Sequence, residues 1–210
     1  MLCVCAKPYT DDVRSAPPDP SKKSTASLNS DDSLKLTWTP RIDAASGALH
    51  FDYRIENPGA QDVWVLDLLL SFRVSAYALN PEETLVREEA AHPGRVLLTR
   101  GYVQAEKVLP QFELRPVARR LAAGAAVEGR GRASWPLRNH HPDEHEDEPL
   151  AHAAREAVLE VGVMPIQPEL LTLTIAGGET ASVPRPADAS RFQRFIRSEA
   201  FPLSATPTPK

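Results

Sequence analysis

The chain reads as all-β: an antiparallel β-sandwich with long loops and one short C-terminal helix. Three observations carry that expectation. Leu49, Phe51, Tyr53 and Ile55 alternate with His50, Asp52, Arg54 and Glu56, a period of two that gives a strand one apolar and one wet face. Asn57-Pro58-Gly59 then turns the chain, and residues 63–70 return as a run too apolar to leave either face fully solvated. About nine or ten such short segments follow one another between turn residues, the rhythm of stacked sheets.

Residues 1–32 read as a disordered tether. Pro8, Pro17, Pro18 and Pro20 sit among Asp, Ser, Lys and Thr, a composition that buries too little surface to offset the entropy of ordering. Order is expected from Ser33 to about residue 186. Leu34, Leu36 and Trp38 alternate with Lys35, Thr37 and Thr39, and Pro40 is expected to end that strand. Residues 71–77 continue the apolar run or add an edge strand beside it. Residues 84–88 and 95–102 form a hairpin around His92-Pro93-Gly94. Pro110 and Pro116 exclude a long helix in residues 103–123, where a short strand at 111–114 is expected. Val127, Gly129, Gly131, Ala133 and Trp135 alternate with Glu128, Arg130, Arg132 and Ser134. Leu159, Val161 and Val163 share one face of a further strand. Residues 170–183 give a late hairpin, with Leu171, Leu173 and Ile175 on one side and Gly177-Gly178 at the turn.

The opening three strands, over residues 34–70, resemble those of bacterial immunoglobulin-like domains. The resemblance implies two packed sheets, with Trp64 on the third strand as the buried aromatic. The cysteine pair of antibody domains is absent, and the ordered span exceeds a minimal sandwich of ~100 residues. Long loops or a small added β unit must therefore be accommodated.

Composition excludes several roles. A formal net charge of −4 gives no general pull toward nucleic acid or anionic lipid. Arg130 and Arg132 fall on the wet side of their strand without interleaved aromatics, so no nucleic-acid partner is expected. No apolar run approaches the ~20 residues that span a bilayer; the longest is interrupted by Asp67. Cys3 and Cys5 flank a single residue, awkward for a mutual disulfide, and the chain holds only these 2 cysteines. A cytoplasmic protein with free thiols is expected. The alternative is an envelope lipoprotein, anchored through one of these cysteines, whose true start lies upstream.

Two segments draw attention as candidate sites. Residues 139–149 (NHHPDEHEDEP) concentrate histidines and carboxylates. His140, His141 and His145 are the candidate metal ligands, since one helical turn from Pro142 would place His141 and His145 on one face. A solvated acidic loop explains the same residues without a metal, and no cofactor is expected. In residues 187–203, Asp188 is expected to cap a short helix carrying Phe192, Phe195 and Ile196 at helical spacing, with Arg191, Arg194 and Arg197 off the apolar stripe. That helix either packs back over the sandwich or offers Phe192, Phe195 and Ile196 to a partner. Residues 204–210 form a second polar tail. No nucleophile elbow, phosphate loop or zinc-protease motif occurs. The sequence therefore points to a non-enzymatic sandwich working through contacts with another protein: an adaptor, an inhibitor-like protein or an assembly component. Metal binding through the 140–148 loop is the alternative.

Overall fold

The computed structural model describes residues 34–73, 76–103, 115–141, 147–166 and 168–203. Strands dominate, as the alternation requires. They are β1 (Lys35–Asp43), β2 (Ala48–Glu56), β3 (Val63–Arg73), β4 (Ala76–Asn80), β5 (Leu85–Glu88), β6 (Arg95–Arg100), β7 (Arg115–Leu121), β8 (Ala126–Ser134), β9 (Glu156–Pro165), β10 (Leu171–Thr174) and β11 (Thr180–Val183). A helix of about two turns, α1 (Pro186–Phe192), leads into β12 (Arg194–Arg197) and β13 (Phe201–Pro202).

The strands sort into layers. The first is a small sheet of order β1-β2-β8, antiparallel throughout and without a register slip. The second is an eight-stranded sheet whose main path runs β4-β3-β9-β6-β5. There β12 and β13 pair with β9, and β7 pairs with β3. The inward residues of the small sheet, among them Leu49, Phe51 and Ile55, pack on Val65, Val96, Leu98, Leu159, Val161 and Val163 of the large one. This is the main core. On the other face of the large sheet, the β10–β11 hairpin lays Ile175 and Val183 against Leu70 and Val117. Because β9 is covered on both faces, all of Ala157–Met164 is buried.

The Asn57 turn does more than reverse the chain. It carries β2 of one sheet into β3 of the other, so the two segments do not pair. Asn57 is buried, and its side-chain amide donates to the carbonyls of Gln61 (2.8 Å), Leu121 and Ala122 (3.3 Å each). Its Oδ1 accepts the Gly59 N–H, which fixes the crossing geometry.

Three sequence expectations are corrected. Pro40 does not end β1, which continues to Asp43. Trp64 does not enter the core between the sheets. Val63 and Val65 point there, while Trp64 faces the opposite side beside Leu170 and Phe192 and donates to the Ile166 carbonyl. The C-terminal helix stops at Phe192, so Phe195 and Ile196 lie on β12 and not on a helical stripe. Its N-cap is Arg185, Pro186 begins the first turn, and Asp188 sits inside that turn. Gln193 terminates it with extended backbone and bonds both the N–H (2.8 Å) and the carbonyl (2.9 Å) of Tyr102. The expected strand at 111–114 lies outside the described residues.

Candidate functional site

The interior between the sheets is apolar at one end and ionic at the other. Tyr53 and Phe51 lie across from Gly129 and Gly131 in the β2–β8 register. A Cβ at either glycine would collide with the facing ring, so these two positions have no room for a side chain. Beneath them the Tyr53 hydroxyl donates to Asp67 Oδ2 at 2.6 Å, and Arg119 grips the same carboxylate with Nε on Oδ1 at 2.8 Å and Nη2 on Oδ2. Asp67 is fully buried. Burial and the adjacent carboxylate hold the Tyr53 hydroxyl well above the usual tyrosine range, so it remains a donor.

Arg100 is also fully buried. It fills the place where the large sheet splits. There β3 leaves β9 at Leu66, and β6 takes over beside β9 at Arg100. Its guanidinium donates to the carbonyls of Asp67 (2.7 Å), Pro81 (2.6 Å) and Arg130 (2.8 Å), and it lies 5.7 Å from the Tyr53 ring centre. Burial lowers its basicity, yet an arginine stays protonated. The cluster is internally satisfied and has no unused acid, base or nucleophile.

A second ionic group roofs the outer face of the large sheet. Glu160, fully buried on β9, accepts from Thr99 Oγ1 (2.6 Å), Arg87 Nη2 (2.6 Å) and Arg197 Nε (3.2 Å). Arg197 reaches on to Glu89 at 2.7 Å, spanning from β12 to the end of β5. Leu97 and Val158 are buried as well.

Among the metal candidates, His140 is placed most firmly. Its backbone exchanges two hydrogen bonds with Val86 (2.8 and 2.9 Å), extending the large sheet past β5. Its ring lies between Glu83 Oε1 (2.8 Å from Nε2) and Asp147 Oδ1 (2.7 Å from Nδ1). Bonding to Glu83, with Asp147 adding to it against the cost of burial, raises its pKa from 6.5 to about 9. At neutral pH His140 is thus an imidazolium with both nitrogens donating. A metal ligand needs the opposite: a neutral ring with one free nitrogen. His141 Nε2 lies 3.3 Å from the Val103 carbonyl, and His145 falls outside the described residues. Among the described residues no group of three or more His, Cys, Asp or Glu side chains is arranged to hold a metal ion.

The candidate partner residues are separated by the fold. Ile196 is buried in the main core. Phe192 is half-buried on the opposite face of the large sheet, against Leu66, Ala118 and Met164. Phe195 is half-buried over Gly101, where a Cβ would meet its ring.

The sequence does not flag one further feature, the outer edge of β1. On β8 the Arg132 N–H and the carbonyls of Glu128 and Arg130 point away from β2, toward Glu82, Arg119 and Arg100 respectively. With no slip across β8-β2-β1, alternation fixes the backbone directions in β1. Odd-numbered residues of β1 bond to β2, and Leu36, Trp38, Pro40 and Ile42 aim theirs outward. None of these outward groups has a hydrogen-bond partner among the described residues. It also explains Pro40: its missing N–H faces the open side, where nothing is lost. Beside this edge runs a groove of about 400 Å³, lined by Leu36, Trp38, Pro40, Ala200 and Phe201. Trp38 braces it, its indole donating to the Glu199 carbonyl at 3.0 Å and meeting Phe201 edge-on at 6.2 Å.

Among the described residues no helix is long and apolar enough to cross a membrane. No protein-family model matches this chain, and no curated protein matches it in sequence.

Proposed function

We propose that this chain is a non-enzymatic β-sandwich that works through protein contacts, and that the contact is made at β1. The observation that carries this reading is the row of outward backbone groups at Leu36, Trp38, Pro40 and Ile42, lying beside an apolar groove. An extended segment from another chain would complete the ladder and place alternate side chains in the groove, the logic of strand addition. The ionic clusters support it, because the buried carboxylates of Asp67 and Glu160 are each engaged by neighbouring side chains.

The order of strand neighbours supports the immunoglobulin-like reading as well. In one sheet β1, β2 and β8 take the places of strands A, B and E. In the other, β7, β3, β9 and β12 take those of C′, C, F and G, while β4 follows β9 along the same side of β3 and is an addition. The β5–β6 hairpin and the β10–β11 hairpin are then additions to that frame.

The test compares capture by the full chain with capture by Ile42→Pro, which removes an outward N–H and leaves pairing to β2 intact. Loss of the captured protein with an unchanged circular dichroism spectrum is expected. An identical set of captured proteins would move the contact away from β1.

A further inference from the structure

Resting on the reading of β1 as the contact edge, we infer that its occupant is a second copy of β1, paired antiparallel about a two-fold axis through Thr39. Outward groups must meet outward groups, so only registers that match even-numbered residues with even-numbered ones are allowed. Among these, centring on Trp38 would set Lys35 against Arg41 of the second copy, like charges directly opposed. Centring on Pro40 would face proline with proline, with no N–H on either side. Centring on Thr39 uses the whole strand, Lys35–Asp43. It sets Lys35 opposite Asp43, Thr37 opposite Arg41 and Thr39 opposite itself, so the charged ends attract twice.

The backbone agrees with that register. Leu36 and Ile42 of the two copies exchange both hydrogen bonds, and the Trp38 N–H meets the Pro40 carbonyl. Only the Trp38 carbonyl goes without, because Pro40 has no N–H to give it. Inner-face residues Pro40 and Ile42 of one copy come alongside Trp38 and Leu36 of the other, at the groove walled by Phe201. Lys35 and Arg41 have no ion-pair partner among the described residues, so both are available. The shortened ladder makes the association reversible, and the result is a six-stranded sheet shared by two sandwiches.

Thr39 is exposed and would face its own copy in a non-hydrogen-bonded pair, where Cα atoms lie about 4.5 Å apart, within disulfide reach. The experiment uses the full chain with Cys3→Ser and Cys5→Ser. In that background Thr39→Cys should give a disulfide-linked dimer on mild oxidation, and Thr37→Cys, which would face Arg41, should not. Sedimentation equilibrium of the wild-type chain should show a monomer–dimer equilibrium. Lys35→Glu should raise its dissociation constant roughly tenfold, since two contacts turn repulsive. A chain monomeric at all concentrations, or cross-linking at position 37 as readily as at 39, overturns the dimer. If such a monomer still captures a protein that Ile42→Pro does not, contact at β1 stands and only the second copy fails as its occupant.

Discussion

The two edges of the small sheet are handled in opposite ways. On the β8 side, the carbonyls of Glu128 and Arg130 are taken up by Arg119 and Arg100, the Arg132 N–H by the Glu82 carbonyl, and the Arg130 side chain by Glu82 at 2.9 Å. On the β1 side, the corresponding groups have no partner among the described residues, and Pro40 blunts the edge at one position. An unpaired edge invites another strand, and proteins usually cover it. Here the covering is confined to one edge. The arginines that do it also hold Asp67, Arg119 through its carboxylate and Arg100 through its backbone carbonyl, so closure of β8 and the ionic end of the core are one structure. The lesson is that the β8 edge is part of what holds the two sheets together, whereas the outward backbone groups of β1 make no bond among the described residues.

Substitutions should separate these roles. The largest effect is expected from Asp67→Ala, which strands Arg119 and the Tyr53 hydroxyl in a buried site. About 3–5 kcal/mol of stability should be lost, read as a shift in the urea midpoint at constant slope. A loss below ~1 kcal/mol would mean that the β8 side does not depend on this cluster. Gly131→Ala comes next. Its methyl group would press on the Phe51 ring and the Arg100 guanidinium, costing about 1–3 kcal/mol in the same measurement.

A smaller contribution comes from His140, which ties residues 139–148 to β5. Its folded pKa, about 9, lies above the 6.5 of the unfolded chain. Folding therefore binds the proton more tightly, and the stabilisation is complete below about pH 6.5 and disappears as pH rises through about 9. The full shift corresponds to about 3 kcal/mol; solvent screening of the part-exposed ring lowers the loss over that window to on the order of 2 kcal/mol, and His140→Gln should flatten this part of the stability–pH profile. A profile identical in the two proteins would show that the imidazolium is not held between Glu83 and Asp147 in solution. The smallest change in stability, within about 0.5 kcal/mol, is expected for Lys35→Glu on the exposed β1 face. Any substantial destabilisation there would erase the contrast between the two edges.

How much was legible in advance differs from residue to residue. Tyr53 and Gly129 announced themselves as alternating positions, but that one ring lies over the other's missing side chain depends on register, which a period of two does not specify. Asp67 was visible as the one acid in an apolar run. Its partners lie on three other strands, and no spacing connects them. Pro40 looked like a terminator because the usual rule assumes a neighbour on both sides; at an open edge the rule relaxes. Phe192, Phe195 and Ile196 fit a helical period, yet Gln193 bonds to Tyr102 and hands the chain to β9, trading one local pattern for a ladder of long-range bonds. His140 was flagged for its neighbours in sequence, Asp143 and Glu144 among them. One of the carboxylates that decides its charge, Glu83, comes from 57 residues away.

The amino-acid order by itself determined most of the strands before α1, the buried face of β2 and where the chain turns, because these follow from side-chain alternation and from the fixed geometry of Gly, Pro and Asn. Only the tertiary structure decided that β2 and β3 belong to different sheets, that Arg100 seals a split between strands, and that among the described residues β1 has a neighbour on one side alone. Those outcomes depend on which distant backbone groups find each other, and a hydrogen bond between remote residues leaves no periodic trace in the sequence.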